Sequence, residues 1–128
     1  MNVPEQFLYS SDHEWIQRED GSNRVRIGIT DYAQDALGDV VFVQVPASGA
    51  TVGAGETITE VESTKSVSDV YAPVAGTVVE VNDALAENPQ LLNEDPYGDG
   101  WICVIELDGD AALDALMDAA SYAATIEG

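Results

Sequence analysis

The sequence predicts an all-β domain with small peripheral helices. Short apolar stretches recur through most of the chain, turn residues separate them, and several stretches alternate apolar and polar side chains. With 128 residues, of which 45% are hydrophobic, the chain is long enough to build one core without disulfides or metals. We therefore expect a single domain over residues 1–128, with its core in about residues 7–108.

The strand candidates differ in their burial patterns. In residues 24–29, Val25, Ile27 and Ile29 lie on one face and both arginines on the other, which predicts a half-buried strand. Residues 40–45 are almost continuously apolar, so this strand is expected to be covered on both faces. Further strands are predicted at residues 57–62, 67–71, 77–81 and 101–107.

Helices are expected only at the periphery. Thr30 or Asp31 caps a short helix that runs to Leu37, and Gly38 can adopt the left-handed conformation that ends it. Residues 110–124 are predicted to form one C-terminal helix. The buried stripe of that helix is expected to contain Leu113, Leu116, Met117 and Ala120.

The charge balance excludes several classes of partner. The chain has 24 acidic residues and 4 basic ones, which gives a formal net charge of −20. Proteins that bind nucleic acids or anionic membranes need clustered Lys and Arg, so we expect neither activity. Two interpretations of the acidic excess remain open: solubility, including in a salt-rich cytoplasm, and attraction to basic partner surfaces.

Cysteine content and the N-terminus predict a cytoplasmic protein. The single cysteine, Cys103, cannot form an intrachain disulfide, so nothing indicates an oxidising compartment. The first residues resemble neither a secretory signal nor a transit peptide. No apolar run reaches the roughly 20 residues that span a bilayer.

Candidate residues for catalysis and metal binding are scarce. One histidine and one cysteine cannot build a Cys/His metal site, so we expect no metal. Cys103 shares a predicted strand face with apolar residues and is expected to be buried. His13 has no evident nucleophilic partner, which favours a structural or docking role. We therefore expect no catalytic residues.

Lys65 is the only lysine, and it lies in the turn between two predicted strands. A solvated turn lysine is one interpretation, and a specific use of its amine is the other. The acidic neighbours Glu60, Glu62 and Asp69 favour the ammonium form, so a catalytic lysine with a lowered pKa is disfavoured. A lysine that a second enzyme acylates fits this setting better.

Longer motifs surround Lys65 and recur along the chain. Residues 60–66, EVESTKS, resemble the lipoylation motif of the glycine cleavage H-protein family, which carries lipoate, although Thr64 stands where that family often has valine. Residues 72–76, APVAG, match the turn that follows this motif in lipoyl domains. Further landmarks spread over residues 7–125 are Tyr9, His13-Glu14-Trp15, Gly28-Ile29-Thr30, Ala33, Leu37-Gly38-Asp39, Val40-Val41-Phe42-Val43, Pro89, Leu91, Asn93, Pro96-Tyr97-Gly98 and Gly100-Trp101.

Two related carrier classes fit less well. Biotin carriers usually flank the modified lysine with methionines, whereas Lys65 stands between Thr64 and Ser66. Lipoyl domains of 2-oxoacid dehydrogenases are shorter and are usually joined to catalytic domains by flexible linkers. The resemblance therefore favours a free-standing carrier.

The resemblance implies a flattened lipoyl- or biotinyl-type (hammerhead) barrel of two antiparallel sheets, with lipoate joined by an amide to Lys65. It implies a non-enzymatic, monomeric carrier of the glycine cleavage system. The arm would take the aminomethyl group of glycine from the PLP-dependent glycine decarboxylase (P protein) to the tetrahydrofolate-dependent aminomethyltransferase (T protein). Dihydrolipoamide dehydrogenase (L protein) would reoxidise it, and a lipoate ligase or a lipoyl/octanoyl transferase would attach it.

Glu14 and Asp69 are the candidates for a cleft that holds the loaded arm, because the amine of that arm is cationic near neutral pH. Two alternative functions remain open. The chain could donate lipoate to other lipoate-dependent complexes, or it could be an acidic interaction module that never carries a cofactor.

Overall fold

Strands dominate the computed structural model, which describes residues 2–19, 21–108 and 110–127. The strands are β1 Leu8–Tyr9, β2 Glu14–Arg18, β3 Arg24–Ile29, β4 Val40–Val43, β5 Thr51–Val52, β6 Thr57–Ser63, β7 Val67–Tyr71, β8 Gly76–Val81 and β9 Cys103–Leu107. The α-helices are α1 Asp31–Leu37, α2 Ala84–Glu87, α3 Leu91–Glu94 and α4 Ala119–Glu127, and a 3-10 helix spans Asp110–Ala115. Among the described residues, no helix is both long and apolar enough to cross a membrane.

All strand pairs are antiparallel, and they form two sheets. The larger sheet has the order β1-β2-β3-β9-β8-β5, and the smaller one has the order β4-β6-β7. Apolar side chains from both sheets pack in one core cluster, as two stacked sheets require. This arrangement confirms the predicted all-β class with small peripheral helices.

The half-buried strand predicted at residues 24–29 is confirmed. Val25, Ile27 and Ile29 are buried in the core, whereas Arg24 is exposed. The guanidinium of Arg26 lies 4.7 Å from the ring centroid of Trp101. Cys103 in β9 is also buried as predicted, and this burial raises the pKa of its thiol to about 12.

Strand β4 contradicts the prediction of a strand covered on both faces. It ends at Val43, and the side chains of Val41 and Phe42 are 55% and 48% exposed. The strand lies at the edge of the smaller sheet, and the register with β6 shifts between Val40 and Phe42. A bulge of this kind turns two successive apolar side chains toward solvent. Continuous apolar character therefore does not mean two covered faces here.

Helix α1 follows its predicted capping. Thr30 is the N-cap, and its Oγ1 accepts a hydrogen bond from the backbone N–H of Ala33 at 3.2 Å. Gly38 ends the helix with a φ of +79°, the sign expected for a terminating glycine. Its ψ of −159° lies outside the left-handed helical region that we predicted, so the chain leaves the helix in an extended direction.

The single C-terminal helix predicted for residues 110–124 is wrong. The backbone groups of Met117 pair with those of Tyr9 in β1, at 2.8 Å in both directions, which separates the 3-10 helix from α4. Asp118 then accepts a hydrogen bond from the backbone N–H of Ser121 at 2.8 Å and caps α4. Ala120, predicted to be buried, is exposed. The prediction rested on helical spacing alone, and this spacing does not reveal that Met117 pairs with β1.

Tyr122 attaches α4 to the rest of the molecule. Its ring is buried and stacks on Tyr9 with centroids 4.7 Å apart. Its hydroxyl lies 2.7 Å from Thr30 Oγ1 and 2.8 Å from His13 Nδ1. One phenol therefore connects the C-terminal helix with the N-cap of α1 and with the loop before β2.

Tyr122→Phe keeps the stacked ring but removes the hydroxyl that joins His13 and Thr30. We expect it to lower the free energy of unfolding by about 1–2 kcal/mol, because buried polar groups lose their partner. Urea denaturation of both proteins measures this change. Tyr71→Phe is the matched control, since the Tyr71 ring is 37% exposed. Equal losses in the two variants would contradict the anchoring role.

Candidate functional site

Lys65 lies at the tip of the hairpin formed by β6 and β7. The backbone N–H of Ser63 donates to the carbonyl of Ser66 at 2.8 Å, which closes the turn. The hydroxyl oxygen of Ser63 accepts from the backbone N–H groups of Lys65 and Ser66, both at 3.2 Å. Without the serine hydroxyl, these two backbone N–H groups would bond only to water. The hydroxyl therefore fixes the conformation of the turn.

The tip of the hairpin is also held from outside. The backbone N–H of Thr64 donates to the carbonyl of Asp39, in the segment between α1 and β4, at 2.9 Å. The stem of Lys65 passes over Gly38, where an added Cβ would lie 3.2 Å from Lys65 Cε. Lys65 itself is exposed, and no carboxylate among the described residues lies within ion-pair distance of its amine. The amine is therefore accessible on a fixed base.

A cleft of about 240 Å³ lies beside this turn. Glu14 of β2, Tyr32 and Leu37 of α1, and Ser66 and Asp69 of the hairpin line it. Both residues that the sequence suggested for an arm-binding cleft therefore line the same cleft next to Lys65. A larger groove of about 530 Å³ lies elsewhere, and none of the candidate site residues lines it.

Glu14 is a buried carboxyl group with hydrogen-bond donors, and no cation of the described part of the chain pairs with it. Its side chain is 2% exposed, and the hydroxyl of Ser10 donates to its Oε1 at 2.6 Å. Burial raises the pKa of Glu14 to about 7, against the opposing effect of hydrogen bonds from Ser10 and from the backbone of Tyr71. Because this pKa lies far above the ordinary value, burial favours the protonated form of Glu14, and a cation entering the cleft would favour the charged form.

Asp69 has a different environment. It is exposed, and it stands in β7 directly opposite Glu60 in β6. The two candidates therefore play unequal parts in the cleft: Glu14 is shielded from solvent, and Asp69 adds negative charge at an accessible position.

His13 lies at the same cleft with structural partners of its own. Its backbone has a φ of 69°, an uncommon value for a residue other than glycine. Its ring lies 4.7 Å from the ring of Tyr32 and bonds the hydroxyl of Tyr122, and burial lowers its pKa. These contacts agree with the predicted structural role.

Sequence reasoning missed three residues of the site: Ser10, Tyr32 and Tyr122. Ser10 stands four positions before Glu14, but serines at such spacings are common and give no usable signal. Tyr32 of α1 lines the cleft, and Tyr122 of α4 contacts His13, which lines it. Only the tertiary packing of these two helices brings the two tyrosines to the site.

Comparisons with known proteins give a consistent result. Residues 7–128 match the sequence model of the family described as "Glycine cleavage H-protein". The glycine cleavage system H protein of Mycobacterium tuberculosis is 54% identical over 131 residues, covering 98% of this chain and 97% of the relative. That of Coprothermobacter proteolyticus is 54% identical over 123 residues, covering 95% of each.

A crystal structure shows the same similarity in three dimensions. The glycine cleavage system H protein from Mycobacterium marinum superposes with a TM-score of 0.86 at 44% identity, covering 98% of this chain and 100% of that chain. This similarity confirms the predicted lipoyl-type barrel of two antiparallel sheets.

Glu14→Gln should change how stability depends on pH. The folded pKa of Glu14 is about 7, above its ordinary value of 4.5, so the folded protein holds this proton more tightly than the unfolded chain. Wild-type stability therefore falls as the pH rises through this range, whereas glutamine cannot titrate. Between pH 4.5 and pH 8, we expect the free energy of unfolding of the variant to rise relative to that of wild type by up to roughly 3 kcal/mol. Thermal or urea unfolding at several pH values measures the difference, and parallel curves would contradict the burial effect.

Proposed function

This chain belongs to the glycine cleavage H-protein family, and we propose that it acts as the lipoyl carrier of the glycine cleavage system through Lys65. The supporting observation is the position of its one lysine, exposed at the tip of a turn that Ser63 and Asp39 hold in place. A carrier needs a fixed base and an accessible amine, and the hairpin combines both.

Attachment requires only an amine and an activated lipoyl donor. The nitrogen of Lys65 forms an amide bond with the lipoyl carboxyl carbon, the activating group leaves, and the former ammonium gives up two of its three protons and keeps one as the amide N–H. A lysine amine is ordinarily protonated near neutral pH, so the modifying enzyme has to deprotonate it in its own active site. Lipoylation removes the positive charge and leaves a neutral arm on the turn.

We propose the following cycle for the loaded carrier. Lys65 would hold lipoate, which would supply the disulfide for carrying the aminomethyl group of glycine, with release of carbon dioxide, from the decarboxylase (P protein) to the aminomethyltransferase (T protein); dihydrolipoamide dehydrogenase (L protein) would reoxidise the resulting dithiol. The protein contributes presentation, docking and shielding. Its charge of −20 opposes self-association, and we propose that it works as a cytoplasmic monomer.

Glu14 and Asp69 are proposed to hold the cationic amine of the loaded arm in the cleft. The cleft lies beside the base of the arm, because Ser66 lines it and Lys65 precedes Ser66. A cation near Glu14 lowers the pKa of this carboxyl and stabilises its ionised form, which then attracts the amine. The nearly complete burial of Glu14 strengthens this attraction and restricts the access of water.

Lys65→Arg should abolish lipoylation without disturbing the fold, since arginine keeps the charge but does not form the amide. Intact-mass measurement of protein made in a lipoate-proficient host is expected to show one lipoyl group on wild type and none on the variant. An unmodified wild type under conditions that lipoylate a known carrier would contradict the proposal and favour the cofactor-free interaction module.

Glu14→Gln combined with Asp69→Asn should shorten the lifetime of the aminomethyl group on the loaded arm. The amide side chains keep the size of the carboxyls but remove the charge that holds the amine, so we expect decay to be about ten-fold faster or more. The loss of the aminomethyl group in buffer is followed by mass spectrometry. Glu80→Gln is the control, because Glu80 is exposed and does not line the cleft. An unchanged lifetime would rule out this role of the cleft.

A further inference from the structure

The exposed large apolar side chains of the described chain all lie on the two edge strands of the smaller sheet. They are Val41 and Phe42 on β4, and Val67 and Tyr71 on β7, with exposed fractions of 55%, 48%, 57% and 37%. We call these four residues the outer-sheet patch. Scattered apolar residues on a surface need no explanation, but a group confined to one sheet suggests an interaction site.

The register of the sheet places this patch directly behind the Lys65 turn. Phe42 pairs with Glu62, and Glu62 pairs with Val67, so the three residues form one row across the sheet. This row is immediately followed by the turn that carries Lys65. Alternate residues of a strand share a face, so Val67, Asp69 and Tyr71 of β7 lie on one surface. Tyr71 extends this surface four residues farther from the tip than Val67.

Acidic side chains lie between the apolar residues of the patch. Glu62 separates Phe42 from Val67, and Glu60 and Asp69 stand directly opposite each other between this row and Tyr71. Like charges in such a pair destabilise a sheet, and no cation among the described residues pairs with Glu60 or Asp69. The patch therefore combines apolar and negatively charged side chains, and this arrangement does not serve the stability of the fold.

We propose that the outer-sheet patch is the docking surface for the enzyme that acylates Lys65, and that this enzyme contacts it with a face on which apolar side chains alternate with Lys and Arg. The inference rests on the proposed function of Lys65. The amine lies only one lysine side chain from the turn, so an enzyme that brings it into an active site must also contact the sheet behind the turn. Enzymes that react with the distal end of a lipoyl arm do not need this close approach.

Charge argues against the other occupants of such a patch. A second copy of this chain would bring two negatively charged patches together on molecules of net charge −20. An anionic membrane or a nucleic acid would meet the same repulsion. Basic side chains on the partner turn this charge into an attraction and accelerate encounter.

The test is the rate of lipoylation of the full chain by a purified lipoate ligase, with lipoate and ATP. Phe42→Ser and Val67→Ser should each raise the apparent KM for the carrier about ten-fold or more with little change in kcat, because anchors of this kind contribute most at interface centres. Val79→Ser is the matched control, since Val79 is a partly exposed valine on β8 of the other sheet. It should stay within about two-fold of wild type.

A charge reversal provides a second measurement that does not alter an apolar side chain. Glu60→Lys and Glu80→Lys change the net charge equally, but of these two residues only Glu60 lies among the residues of the patch. We expect Glu60→Lys to lower kcat/KM several-fold more than Glu80→Lys at low salt, with the difference shrinking as salt is added. Circular dichroism and thermal unfolding establish that each variant is folded.

The possible outcomes separate this inference from the proposed function. If wild type is not acylated at Lys65, the proposed function fails. If wild type and all folded variants are acylated equally, only the docking surface is wrong. If the patch variants are acylated as fast as wild type but react more slowly with the decarboxylase, the patch is the docking surface for the decarboxylase, and the inference is wrong. Self-association of wild type that Phe42→Ser abolishes would assign it to a second copy and overturn the inference.

Discussion

Ser63 closes the Lys65 turn with both its backbone and its side chain, and the position of the modifiable amine depends on this closure. Its amide binds the carbonyl of Ser66, while its hydroxyl binds the two following amides. Thr64 adds a hydrogen bond to Asp39, which couples the hairpin to the end of α1. The backbone of Lys65 is therefore held in place, and only its side chain is free to move. A long arm attached there, as we propose, would reach several partner enzymes from one fixed point.

The same hairpin also forms one wall of the cleft, so the Lys65 turn and the cleft share one structural element. The opposite wall comes from α1 and from the start of β2, where Glu14 is buried. No cation among the described residues pairs with Glu14, and an unpaired buried carboxyl weakens a fold as it ionises. Under the proposed function, the loaded arm would bring the cation, and the cleft and Lys65 would act together.

Two elements show where sequence patterns reach their limit. The continuous apolar run of β4 was expected to be covered on both faces, because periodicity cannot reveal that a strand lies at a sheet edge with a bulge. The residues after position 110 have helical spacing and form two helical segments. Met117 interrupts them because it pairs with Tyr9, which is distant in sequence. Both differences arise from partners that lie far along the chain, and local patterns carry no information about them.

The sequence alone was sufficient to predict the all-β class, the half-buried strand around Ile27, the capped helix after Thr30 and the hairpin that carries Lys65. Each of these depends on residues close together in the chain: alternation along a strand, a cap next to its helix, or a turn between two strands. Tertiary structure decided the rest. It buried Glu14 and raised its pKa, brought Asp69 to the same cleft, and exposed Phe42 and Val67 behind the turn. Burial and electrostatic environment are properties of the assembled fold, because they depend on which distant segments exclude water from a side chain.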